Sequence, residues 1–259
     1  MAELAPSRRT LVRGAAWSVP VVAMAATAPA FAASCGSLTA AFALDWNNTA
    51  RTTYTPPATP AGTGTGKKTG YATALAPAGS GASNVTVTFD STTVGTVSRT
   101  ANNLVLGGTN VGGTGGPGLQ LTHDNLQAGR GNRQELLITF SRPVTELSFS
   151  IADIDSSSGN WYDQVELTGY TGSGAASFTQ SPVATTSSTS VVVWGDGSQS
   201  QPWRPRNDSQ NIGSGSSAGN KLVTFTTAVK TLSLVYWNSA GNGNQVIALT
   251  DFSFTSKGC

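Results

Sequence analysis

Along this chain apolar residues alternate with polar ones in short runs, and clusters of Gly, Ser, Thr and Asn separate the runs. The runs are LTAAFALDW (38–46), NVTVTFD (84–90), ELLITF (135–140), TELSFSIAD (145–153), DQVELTGY (163–170), SVVVWGD (190–196), KLVTFTT (221–227), KTLSLVYW (230–237) and VIALTDFSF (246–254). Period-two alternation rich in β-branched and aromatic residues is the signature of strands with one buried face. The pattern predicts an all-β protein: a two-sheet antiparallel β-sandwich, jelly-roll-like, with roughly nine to twelve strands. No helix is predicted beyond residue 32.

Residues 1–32 break this pattern. Ser7-Arg8-Arg9-Thr10-Leu11-Val12-Arg13 precedes an Ala-rich apolar run and then Ala30-Phe31-Ala32. A basic start, a modest apolar middle and an A-x-A end predict a cleavable signal peptide of the twin-arginine type, cut after Ala32. Pro20 and Pro29 interrupt the run, which is too short to span a membrane as an anchor. The leader resembles signal peptides of exported actinobacterial proteins, which implies a secreted or cell-surface protein and no particular activity. Residues 33–259 are then expected to form a single β-sandwich domain, with no transmembrane segment.

Two stretches interrupt the alternation. Residues 55–83 are Pro/Gly/Thr-rich and are expected to form a long surface excursion, and residues 107–118 form a glycine-rich loop. An internal echo links Thr139, Phe140, Val144, Leu147 and Ser148 with Thr224, Phe225, Val229, Leu232 and Ser233. It predicts a strand–tight turn–strand unit used twice, turning at Pro143 and Ala228. The run VIALTDFSF is also similar to the last strand of many secreted jelly-roll domains.

Charge changes the picture little. The whole chain has 15 basic and 13 acidic residues, and losing Arg8, Arg9, Arg13 and Glu3 with the leader leaves the two signs equal. A neutral domain carries no net footprint for nucleic acid, so no nucleic-acid partner is expected.

Candidate chemistry concentrates in IADIDSSSGNWYDQ (151–164). Asp153 and Asp155 point the same way along an extended strand and Asp163 returns on the next, a set of hard oxygen ligands suited to calcium. The helix–loop–helix calcium pattern fails, because Ser158 and Gln164 replace the required Gly and Glu. The competing reading gives these aspartates Asx-turn and hairpin-capping roles, so no cofactor is expected unless calcium binds. Trp161 and Tyr162 beside the acids, with Trp203 and Arg204 further on, form a candidate sugar-binding set: ring faces for the sugar, Arg for hydroxyls. Trp203 is expected to be exposed, whereas Trp46 and Trp237 read as core.

Catalytic signatures are weak. Gly215-Ser216-Ser217-Ala218-Gly219 lacks the strand before and helix after that a nucleophile elbow needs, and the Gly113/Gly115/Gly118 spacing is followed by Pro-containing loop and strand. His123 is the sole histidine and reads as a strand end entering a turn. The expected function is therefore a non-catalytic binding or structural protein, with a surface or environmental glycan as the specific ligand. The alternative is a polysaccharide hydrolase or lyase using paired carboxylates such as Glu135, Glu146 and Glu166.

Cys35 and Cys259 are the only cysteines. An exported protein permits a disulfide between them, closing a loop worth at most roughly 5 kcal/mol. Lipidation of Cys35 is the rival, although Ala32 stands where a lipoprotein signal has Leu. Intact-mass measurement of the exported protein is expected to show cleavage near Ala32 and a loss of two hydrogens. A diacylglyceryl adduct on Cys35 would overturn the bridge.

Overall fold

The computed structural model describes residues 38–63, 66–125, 127–172, 175–176, 178–182, 193–241 and 243–258. The expected signal peptide and both cysteines, Cys35 and Cys259, lie outside the described residues. The strands in chain order are β1 (Thr39–Leu44), β2 (Thr52–Thr55), β3 (Gly62–Thr63), β4 (Lys68–Ala74), β5 (Val85–Val94), β6 (Ser98–Arg99), β7 (Leu106–Gly107), β8 (Gly118–Asn125), β9 (Arg133–Ala152), β10 (Ser156–Ser157), β11 (Trp161–Tyr170), β12 (Ala175–Ala176), β13 (Phe178–Pro182), β14 (Lys221–Phe225), β15 (Val229–Asn238), β16 (Gly243–Leu249) and β17 (Phe252–Lys257). Among the described residues no helix is long and apolar enough to cross a membrane.

One strand organises the rest. The first half of β9 lies between β5 and β15 (Thr88↔Thr139, Thr231↔Thr139), while its second half lies between β14 and β17 (Thr224↔Ser148, Ser253↔Ser148). One layer thus runs β2–β4–β5–β9–β15–β11, and the other β1–β17–β9–β14–β13, with β16 and β8 extending it. The pairings are antiparallel, as the alternation predicted. Glu146 adopts a left-handed backbone (φ 55°) where the register against β17 shifts. Such a bulge adds local twist, which a strand serving two layers requires.

The inward residues close the sandwich. Val87 and Phe89 of β5, Leu136 and Ile138 of β9 and Leu232 and Leu234 of β15 are buried in one cluster with Phe149, Val223, Phe252 and Phe254 of the other layer. Phe149 stacks on Phe252 within one layer (4.4 Å), and Phe89 meets Phe252 edge-on across the layers (6.3 Å). Trp46 lies beside both rings and donates its indole N–H to Leu249 O, a core position as expected.

Three expectations need correction. Residues 55–83 are not a structureless excursion: β4 lies within them and is held between β2 and β5. Its alternation, Gly70 and Ala72 inward with Tyr71 outward, relies on small residues and so carries little hydrophobic signal. No tight turn interrupts β9 at Pro143, because the strand passes from one layer to the other there. The described part of 190–196 forms no strand but a loop with a single bridge, Trp194↔Arg204.

Phe252 is buried against three aromatic rings from both layers, so Phe252→Ala is expected to cost about 3–5 kcal/mol. A denaturant midpoint within error of the parent would contradict this account of the core.

Candidate functional site

At one end of the sandwich the interior turns polar. Arg99, His123 and Gln245 sit side by side across β6, β8 and β16. Facing them from the other layer are Ser91, Gln134, Tyr236 and Asp163, all buried. The His123 ring meets Tyr236 edge-on at 4.6 Å. The Gln134 amide donates to Ser91 Oγ (2.9 Å) and to Asn103 Oδ1, while its Oε1 pairs with His123 Nδ1 at 3.1 Å. Since Oε1 only accepts, Nδ1 carries the proton and Nε2 is bare.

Asp163 closes this belt. Its Oδ1 accepts from Tyr236 Oη (2.9 Å) and Gln245 Nε2 (3.1 Å), and its Oδ2 accepts from the Asp155 backbone (3.0 Å). Burial pushes the Asp163 carboxyl well above the usual carboxylate range, against the pull of these donors. His123 Nε2 and Gln245 Oε1 are both buried without a hydrogen-bond partner. A half-turn of the Gln245 amide would let Nε2 of Gln245 donate to the ring. Its oxygen would then accept from a protonated Asp163, the form that burial favours.

Asp153 and Asp155 lie outside the belt, on a cavity of about 210 Å³ shared with Trp161, Asn211, Ile212, Asn244, Gln245 and Val246. Asp155 is held from two sides, accepting from Trp161 Nε1 (2.6 Å) on Oδ1 and from the Ile212 backbone (2.8 Å) on Oδ2. Asp153 takes a left-handed backbone (φ 69°), is 9% exposed, and has a buried Oδ1 with no partner. Burial, aided by the neighbouring Asp155 charge, raises the Asp153 carboxyl to about 7. The candidate three-aspartate calcium set is thus divided. Asp163 points inward, and among the described residues no three acidic, histidine or cysteine side chains are placed to hold a metal together.

The aromatic set is also rearranged. Trp203 is fully buried rather than exposed (0%) and belongs to the core. Its backbone bonds both ways with Val165 at the edge of β11 (2.9 Å each), so the loop covers that edge and its indole drops between the layers. A Cβ on Gly197 (φ 80°) would meet the Trp203 ring at 2.6 Å, so glycine is required over it. Trp161 and Tyr162 are half-buried, and Tyr162 Oη donates to Pro205 O (2.6 Å). Arg204 bridges to Trp194 through its backbone, and Trp194 is the exposed ring (45%), with Arg206 over its face at 5.3 Å. Trp237 is core, as expected.

Of the carboxylates of the hydrolase alternative, Glu135 and Glu166 stand in one register row two strands apart, across Val235, and each is engaged by an arginine. Glu166 receives two hydrogen bonds from Arg130 (2.7 and 2.8 Å), Glu135 receives one from Arg133 (2.7 Å), and Glu146 is exposed at the bulge.

A second surface was not singled out by its sequence. On the outer face of the first layer, Tyr71, Thr88, Thr139, Thr231 and Tyr170 stand in one register row across β4, β5, β9, β15 and β11. Tyr71 (57%) and Tyr170 (38%) are exposed at the two ends. The next row is Thr69, Asp90, Leu137, Ser233 and Thr168. A groove of about 310 Å³ lies there, lined by Lys67, Asp90, Thr92, Glu135, Leu136, Leu137 and Ser233. A larger hollow of about 360 Å³ beside β1 offers mostly alanines, Leu75 and Pro77, with Arg51 as its one charged group. It is roomier than the groove, but it lacks converging polar side chains, so the row and its groove are the better candidate.

No family model matches this chain and no curated protein matches it. Among solved structures it is similar to one described as "Adhesin domain of PrgB from Enterococcus faecalis bound to DNA", with 10% identity and a TM-score of 0.38. The match covers 74% of this chain and 69% of that one, and a likeness this loose carries no argument about the site. That neighbour's description names bound DNA, against the expectation of no nucleic-acid partner, and the expectation is withdrawn on physical grounds. A neutral sum of charges never excluded it physically, because binding depends on where charges cluster.

Burial lowers the His123 ring to about 4. Its folded value lies below the unfolded one, so this group's contribution to stability is complete above about pH 6.5 and is lost as pH falls through about 4. Asp153 tilts stability the other way, since its raised carboxyl favours the fold at low pH. The sole histidine is therefore best followed by NMR. Its ring is expected to keep the neutral-form shift from pH 8 down to about 5, and an inflection near 6.5 would contradict a buried ring.

Proposed function

We propose that this is an exported surface-binding β-sandwich whose ligand is an extended glycan laid across the outer face of the first layer. The observation that carries the reading is the row Tyr71–Thr88–Thr139–Thr231–Tyr170. Four interstrand spacings separate the two tyrosines, about 19 Å, a reach of several sugar rings. Exposed Tyr rings offer flat apolar faces with a hydroxyl handle, suited to the mixed surface of a sugar. Between them the threonine hydroxyls donate and accept, and the groove adds Asp90, Glu135 and Lys67. The Lys67–Asp90 (3.1 Å) and Arg133–Glu135 (2.7 Å) pairs leave the groove with charges of both signs. The export reading rests on the leader sequence. Trp161, Tyr162, Trp203 and Arg204 suit a sugar less well, because Trp161 and Tyr162 spend their polar atoms on Asp155 and Pro205 and Trp203 is buried.

The test is a glycan array with the secreted protein, followed by titration of the best polymer. Single-stranded and duplex DNA belong in the same panel, with reducing-sugar release measured in parallel. Tyr71→Ala and Tyr170→Ala are each expected to weaken binding about tenfold while leaving the unfolding midpoint unchanged. Binding that ignores both substitutions would overturn the proposed face. DNA binding without glycan binding would overturn the ligand class, and sugar release would turn the protein into a hydrolase.

A further inference from the structure

We propose that the cavity between Asp153, Asp155, Asn211 and Asn244 binds a divalent cation of the calcium class. Four features of its wall support this. Asp153 is nine-tenths buried on the cavity, and its Oδ1 has no hydrogen-bond partner. A buried carboxylate oxygen without a donor needs either a proton or a cation. The residues lining the cavity include no Lys, Arg or His to supply a positive charge. Asp155 is oriented by Trp161 Nε1 and the Ile212 amide, and each of its oxygens keeps a lone pair for a further partner.

The chemistry of the set selects the ion. Two carboxylates and two side-chain amides are hard oxygen ligands, with no thiolate and no imidazole among them. Calcium accepts six to eight such oxygens in flexible geometry and completes its shell with water. Magnesium demands a stricter octahedron and gives up water reluctantly, so it fits an open, partly exposed wall less well. Asp163 is not a ligand, because it is turned inward to Tyr236 and Gln245 and does not line the cavity. With only two carboxylates the affinity belongs in the weak range of extracellular modules, about 0.1–1 mM. The proposal is independent of the outer-face reading, which concerns a different surface.

The full secreted chain, stripped with EDTA, is titrated with CaCl2 by calorimetry, with MgCl2 and with NaCl of matched ionic strength alongside. At ten times its dissociation constant calcium is expected to raise the unfolding temperature by about 3–5 °C, and sodium not at all. Asp153→Asn keeps the side chain's shape and removes its charge, so it is expected to fold and to lose the calcium shift. Should Asp153→Asn fail to fold, Asn244→Ala on the exposed rim serves instead and is expected to weaken calcium binding about three- to tenfold. Three results would overturn the proposal: no heat and no shift with calcium up to 10 mM, an equal shift with sodium, or an undiminished calcium response in the variant measured.

Discussion

The two layers are tied together by the backbone hydrogen bonds of β9. Most sandwiches are held face to face by side chains alone, but here twenty residues of continuous strand bond to β5 and β15 at one end and to β14 and β17 at the other. The path fixes the angle at which the layers meet, and with it the contact between Phe89 and Phe252. It also sets which rows face outward. Thr139, Leu137 and Glu135 alternate with Phe140, Ile138 and Leu136 along one stretch, so the filled core and the hydroxyl-lined surface are two sides of the same alternation.

Where apolar filling stops, the same geometry encloses polar groups. The belt from Ser91 through Gln134 and His123 to Asp163 sits between layers that exclude water, so each group must find its partner within the protein. Most do. His123 Nε2 and Gln245 Oε1 are among the atoms left over, and Gln245 also lines the Asp153 cavity. Gln245 therefore belongs to both the buried belt and the wall of the acidic cavity.

Sequence alternation revealed the strands whose inward positions are large. β1, β5, β11, β14 and β15 were legible because Phe42, Phe89, Leu167, Phe225 and Leu234 mark their buried faces. β4 was not, because Gly70, Ala72 and Ala74 face inward where larger neighbours fill the space, and composition alone reads them as loop. The Asp153–Asp155 pairing on one surface was legible from spacing, but the inward turn of Asp163 depends on Tyr236 and Gln245, over seventy residues away. Trp203 misled because its neighbours are polar, and only the fold shows a loop laid along the edge of β11. The tyrosine–threonine row could not be seen at all from one strand at a time. It exists through the register of five.

The pairing of β1 with β17 has a mechanical meaning. Thr39 lies opposite Lys257, so the first and last described strands leave the domain side by side. A pull that separates these two ends acts along their hydrogen bonds, perpendicular to the strands, and the load falls on one rung at a time. The edge opens like a zip at low force, and Phe42 lifts off Phe254 before the shared strand bears any strain. A load applied between Lys257 and the outer face travels along β17 and β9 instead, where the bonds share it in shear. Held by hydrogen bonds alone, the domain is soft when drawn out by its ends and stiff when held by its face, and the expected Cys35–Cys259 bridge would take over the first of these loads.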